Sequence, residues 1–237
     1  MAIKFFRKKI NFETDGEHWL SVSDLMSGLM VVFLFISIAF MRYISMEKDK
    51  ITDIAVAYQE NQVAIYHALV QEFQDDLSKW DASIEQTTLS FQFNSPEVLF
   101  AVGSSKITDK FAAILTDFTV RYLNILDEYR PSIQEIRIEG HTSSEWYNLK
   151  DKDRAYFLNM ELSQSRTNAV LEYIYYIPSL TEYHRQWIKS SFAAVGFSSS
   201  KVKITEKGTE DKIRSRRVTF RVITNADIQI RKILEEG

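Results

Sequence analysis

The chain has 237 residues and a formal net charge of −3, with seven glycines, three prolines and no cysteine. That length allows one or two domains with a real core, and the charge provides no overall basic field for nucleic acid. The lack of cysteine excludes disulfides, thiolate metal sites and cysteine nucleophiles. The four histidines, His18, His67, His141 and His184, are scattered without zinc-ligand spacing, so no metal or cofactor is expected.

Residues 1–19 read as a short basic tail with Lys4, Arg7, Lys8 and Lys9. From Leu20 to Met41 the chain is apolar or small everywhere except at Asp24. At about 1.5 Å per residue this run makes a helix of roughly 33 Å, enough for a hydrocarbon core of about 30 Å. A transmembrane helix over 20–43 is therefore expected. The competing reading is a core helix of a soluble protein. A cleaved signal peptide fits worse, because the run is too long and no A-x-A-like site follows it. Basic residues favour the N-terminus inside, with Arg42, Lys48 and Lys50 on the far side. The expected location is the bacterial inner membrane, single-pass, with a periplasmic C-terminal domain.

Asp24 sits about one turn into that span. A carboxylate at a helix centre costs about 2.5–3.5 kcal/mol on insertion scales, and less near the end. One account is an interfacial Asp near a helix start, where the helix dipole favours negative charge. Its neighbours suggest another. Ser23, Asp24, Ser27 and Gly28 share a narrow helical face, while Leu25, Met26, Leu29, Met30 and Phe33 cover the other directions. Small residues let a second membrane helix approach closely. On this reading Asp24 faces protein, where a carboxylate can take up and release an ion.

The run WLSVSDLMSGLMVVFLF resembles the membrane helix of the B subunits of ion-driven motors, the MotB-like family. Trp19, Asp24, Met26, Ser27, Gly28, Met30, Phe33 and Leu34 carry the resemblance. It implies that Asp24 carries the ion, H⁺ or Na⁺, with Ser23, Ser27 and Gly28 along its path. It also implies a homodimer of this chain inside a ring of five MotA-like membrane subunits.

Residues 44–86 read as a helical linker. Ile51, Ile54, Tyr58, Ile65, Leu69, Phe73, Leu77 and Trp80 recur at three- and four-residue steps. Such a helix either packs on its own domain or pairs two copies, and periodicity alone does not choose. From Thr87 the pattern changes. LSFQFNS alternates as a strand. A helix is expected over about 109–129, stopped by Pro131, and IQEIRIEGHT reads as a second strand. Helices follow at about 155–176 and 180–192, then AAVGF, then a last strand, RRVTFRVIT. This order gives an α+β chain whose C-terminal part, 87–224, is a compact α/β sandwich, with a helical charged tail at 225–237.

That order resembles the OmpA-like peptidoglycan-binding domain. The matching residues are Leu99-Phe100-Ala101, Gly103-Ser104, Ile138-Glu139-Gly140-His141-Thr142, Asn159, Leu162-Ser163, Arg166, Gly196-Phe197 and Arg216-Arg217-Val218. The resemblance implies that Arg166 grips a stem-peptide carboxylate, bidentately as guanidinium does, with Asn159 and Leu162 on the same helix face. The family's Asp after the GHT strand, which pairs with the stem-peptide ammonium, is Ser143 here, and Glu145 or a backbone carbonyl would have to substitute. His141 lacks any nucleophile context, so a structural role is expected and no enzyme activity is read.

Two branches of the motor family fit, the flagellar stators and the B subunits of the Zorya anti-phage defence systems. The short tail, the uninterrupted linker and Ser143 favour the Zorya branch. A passive wall anchor without ion transport is the alternative from another class, and it makes Asp24 dispensable.

Overall fold

A computed structural model describes residues 13–225 except 95, 102 and 148. The expected helical C-terminal tail and most of the N-terminal tail lie outside the described residues. The chain divides into two units, one up to Asp53 and one from Ile54. Helix α1 (Glu13–Leu77) contributes to both.

In the first unit one stretch, Val22–Asp53, is long and apolar enough to cross a membrane, with a mean hydropathy of 2.2 and none of that window buried. Large apolar side chains, among them Leu25, Met30, Phe35, Phe40 and Met41, stand exposed along it. Nothing among the described residues covers them, as expected for a surface solvated by lipid.

The second unit is built on one sheet. Its strands are β1 (Ala82–Glu85), β2 (Ser90–Phe93), β3 (Ile133–His141), β4 (Phe192–Gly196) and, after a two-stranded hairpin of β5 (Lys203–Ile204) and β6 (Glu210–Asp211), β7 (Arg217–Thr224). The order is β1-β2-β7-β3-β4, with only β3 and β4 parallel. Register puts alternate residues on one face: Phe91 opposite Phe220, Phe93 and Gly140 opposite Val218, Ile138 opposite Phe220, Ile136 opposite Val222. All of these residues are buried.

Against that face lie α3 (Asp109–Glu128) and α4 (Lys152–Tyr175), with a short α2 (Pro96–Leu99) before them and α5 (Glu182–Ser191) after. Helices α3, α4 and α5 each start at a side-chain cap: Thr108 accepts from the Phe111 amide, Asp151 from Arg154 and Thr181 from His184. Phe118 on α3 is the hub of the core. Its ring centroid lies 4.7 Å from Phe91, 5.0 Å from Phe220, 5.2 Å from Phe93 and 5.4 Å from Phe73. Helix α4 rides closer to the sheet than large residues would permit, because Gly140 and Gly196 meet its Ser163–Gln164 backbone.

The structure differs from the expected linker over 44–86. Ile65, Leu69 and Phe73 of α1 are fully buried in the core of the second unit, and Leu77 and Trp80 pack against it. Residues 82–85, inside the same span, form the edge strand β1. The later part of the helix is thus a layer of the domain, since its apolar stripe finds a partner in Phe91, Phe118 and their neighbours.

Candidate binding cleft

A cleft of about 280 Å³ opens between the segment after α2, the loop after β3, the start of α4 and the end of α6 (Lys212–Ser215). Five residues that sequence reading singles out, Ser143, Glu145, Asn159, Leu162 and Arg166, all line it. The helical spacing of 159, 162 and 166 puts those three on one face of α4.

Their roles differ. The Arg166 guanidinium lies 4.8 Å from the Phe100 ring centroid, and its Nε donates to the Ser104 carbonyl at 2.9 Å. This fixes the side chain while leaving its terminal nitrogens for a ligand. Burial pushes Arg166 down to about 10, with the nearby Arg216 charge adding to it, so it remains a cation at neutral pH. Asn159 is 3% exposed, and its amide donates to the carbonyls of Ser143 and Glu145, each at 3.2 Å. Its amide nitrogen therefore holds the loop in place. That places it as a support for the cleft wall, where the family resemblance implied a ligand contact.

Glu145 pairs with the Lys212 ammonium, both of them largely exposed. The Glu210 carboxylate accepts from the Ser144 amide at 2.9 Å and also from its hydroxyl. The β5–β6 hairpin thus braces the loop from outside. Ser143 is buried beneath that loop.

Arg216, Trp146 and Tyr147 also line the cleft, and sequence reading did not single them out as site residues. Tyr147 is 69% exposed and has a left-handed φ of 43°. Its hydroxyl fills the space a side chain would need at Gly103, itself at φ 67°. The only early signal was the aromatic pair in an otherwise polar loop. Arg217, next to Arg216, is buried, donating to the carbonyls of Ser215 at 3.1 Å and Lys201 at 3.2 Å.

His141 lies outside the cleft. It is 4% exposed, stacks on Phe197 at 5.3 Å with ring planes 7° apart, and sits 3.5 Å from the Glu139 carboxylate. Among the described residues no group of His, Asp and Glu is arranged to hold a metal ion.

In the first unit, Ser27 Oγ donates to the Ser23 carbonyl at 2.8 Å, inside the helix. Gly28 has open space where a side chain would be, and Asp24 has no ion-pair partner among the described residues. The helical face of Asp24 and Gly28 is thus open to another surface.

A five-stranded sheet covered on one face by helices, with a cationic cleft beside the third strand, defines an OmpA-type domain, and the OmpA family matches residues 99–219. The chain is 55% identical over 224 residues to the Zorya protein ZorB of Escherichia coli, covering 94% of this chain and 95% of that protein. The chain belongs to this ZorB family. Solved structures similar to it include a putative MotB-like protein from Desulfovibrio vulgaris, at 22% identity and a TM-score of 0.47, covering 69% of this chain and 91% of that one. Another is the cell wall anchor of the T6SS from Pseudomonas aeruginosa, at 21% identity and a TM-score of 0.45, covering 66% and 96%.

Proposed function

We propose that the chain is the B subunit of a membrane ion-driven motor, anchored to the cell wall and acting in anti-phage defence. The observation that carries this reading is the 55% identity to a Zorya protein across almost the whole chain, span and cleft included. Among the described residues there is one candidate span, and Asp24 is the one carboxylate between Leu20 and Met41, which supports ion transport. A cleft with two guanidiniums that have no carboxylate partner among the described residues supports capture of the carboxylates of peptidoglycan stem peptides.

On this reading two copies sit in the inner membrane inside five partner subunits, N-termini in the cytoplasm and cleft domains in the periplasm. Asp24 takes an ion, H⁺ or Na⁺, from outside. Neutralised, it fits the partner ring differently; release inward restores its charge. One charge crossing 100 mV supplies about 2.3 kcal/mol for each step. The wall-bound domains hold the dimer still while the ring turns.

The test is phage plating on cells carrying the native gene cluster, wild type against Asp24→Asn, with membrane level and partner co-purification checked together. Asn keeps the size and polarity but cannot titrate. Protection should vanish while the complex still assembles. Persisting protection would discard the ion-carrying role and leave a passive anchor.

A further inference from the structure

The cleft is unusual in what it lacks. Arg166 and Arg216 both line it, and among the described residues neither has a carboxylate partner. The one acid in its lining, Glu145, is occupied by Lys212. Glu210, just outside, is committed to the Ser144 amide and hydroxyl. The carbonyls of Ser143 and Glu145 each already accept one bond from Asn159, and they are neutral acceptors, so they leave the charge of the two guanidiniums unbalanced. Thr142 also lines the cleft, but its Oγ1 is buried and has no partner among the described residues. The remaining wall, Phe100, Trp146, Tyr147 and Leu162, is largely apolar.

Such a surface attracts a carboxylate and repels an ammonium placed beside it. Two guanidiniums forced to face one empty space also repel each other, a cost that an anion relieves and a zwitterion relieves only in part. Stem peptides offer both alternatives. Where the chain of a diamino acid is not cross-linked, its carboxylate stands next to a free ammonium. Where it is cross-linked, the same carboxylate stands next to a neutral amide.

We infer that the cleft takes a stem-peptide carboxylate whose neighbouring amine is acylated, as at a cross-link, with Arg166 and Arg216 both on the carboxylate and the aromatic wall against the acyl part. This rests on the wall-binding reading above and narrows it to mature, cross-linked peptidoglycan. The protein would then be held where the wall can bear load, and would be a poor ligand for newly inserted strands.

The experiment uses the full chain in detergent and two soluble probes, titrated calorimetrically. One is a disaccharide tetrapeptide with a free diamino-acid amine; the other is the same compound after acetylation of that amine. The acetylated probe should bind at least fivefold more tightly. Arg216→Gln should weaken its binding about tenfold and shrink the difference between the probes. Lys212→Gln, at an exposed position, should free Glu145 for an ammonium and also bring the two probes closer, by strengthening the free-amine form. Equal binding, or tighter binding of the free amine, overturns the selectivity while leaving wall binding intact. Unchanged binding in Arg216→Gln removes the second guanidinium from the site. Binding of neither probe overturns the wall-binding reading itself, and this inference with it.

Discussion

Arg121 on α3 grips Glu72 on α1 twice, through Nε to the carboxylate at 2.6 Å and through a terminal nitrogen to the backbone carbonyl at 2.7 Å. The same guanidinium reaches Asp76 at 2.9 Å and Asp117 at 2.8 Å, and lies 4.6 Å from the Phe73 ring centroid. It clips the last turns of α1 to the domain. Arg121→Ala leaves three acids clustered without their cation and uncovers Phe73. We expect a loss of about 2 kcal/mol, a fall of roughly 4–8 °C in melting temperature for a domain of this size. Arg121→Lys should recover only part of it, since an ammonium lacks the planar fork. Tryptophan fluorescence on heating reads this directly, because Trp80 packs against the core and Trp187 is buried in it.

Gly140→Ala should be more damaging than its size suggests. A methyl at Gly140 would stand 2.7 Å from the Ser163 carbonyl oxygen, and one at Gly196 would stand 2.6 Å from the Gln164 amide nitrogen. Both obstacles are backbone, so α4 must lift from the sheet. Such overpacking costs about 1–3 kcal/mol. Because α4 also carries Asn159, Leu162 and Arg166, the lift should weaken ligand binding as well as stability. A variant with normal stability and normal binding would show that the contact between α4 and the sheet is looser than described.

Much of this was legible in the sequence, for physical reasons that also mark where reading stops. Strands β2, β3 and β7 carry apolar residues at alternate positions because one face packs against the helices, and α3 shows its stripe of Phe111, Leu115, Phe118, Tyr122 and Leu126 because one side of it packs. Strand β1 was absorbed into the linker: four residues, ASIE, at a sheet edge carry too short a pattern. The stripe of Ile65, Leu69 and Phe73 was visible, but periodicity reports that a face is buried and not against what. In the cleft, Arg166 and Asn159 came from the resemblance to the OmpA-like domain, and helical spacing only put them on one face. Arg216 and Tyr147 reach the same space from elsewhere in the chain, and no local signal joins them. The task of Asn159 was equally hidden, because its partners are backbone carbonyls, which have no sequence signature.

Asn159→Ala tests that task. The substitution removes both hydrogen bonds to the loop and leaves two carbonyls short of a donor, a loss of about 1–3 kcal/mol in local order. Amide hydrogen exchange should rise across residues 143–147 and stay unchanged in β3 and β7. Muropeptide affinity should fall through the loosened wall. Asn159→Asp should do no better, because it cannot donate to a carbonyl when ionised. If exchange in the loop is unaffected while affinity falls, Asn159 contacts the ligand directly and the supporting role is wrong.

The Glu139–His141 pair predicts the response to acid. Burial pushes His141 below its ordinary value; Glu139 opposes this, and the charges of Arg217 and Lys201 add to it. Burial works against the Glu139 carboxylate, but His141, Arg221 and Lys201 outweigh it and hold Glu139 below the usual carboxylate range. The signs agree. Below about pH 6.5 the unfolded chain binds a proton on His141 that the folded one resists, so stability falls as pH drops from there. Lower still, below the ordinary Glu value, protonation of the unfolded carboxylate adds a second loss, complete only once pH has passed through the folded Glu139 value. Urea midpoints should therefore be flat from pH 8 to 7 and decline from pH 6.5 towards pH 4. His141→Gln should remove the part of the decline between pH 6.5 and 5 and shrink the part below, since His141 is the first of the groups that hold Glu139 low. A variant whose profile matches the wild type across pH 6.5–5 would place the acid sensitivity in other groups and leave His141 as packing against Phe197 alone.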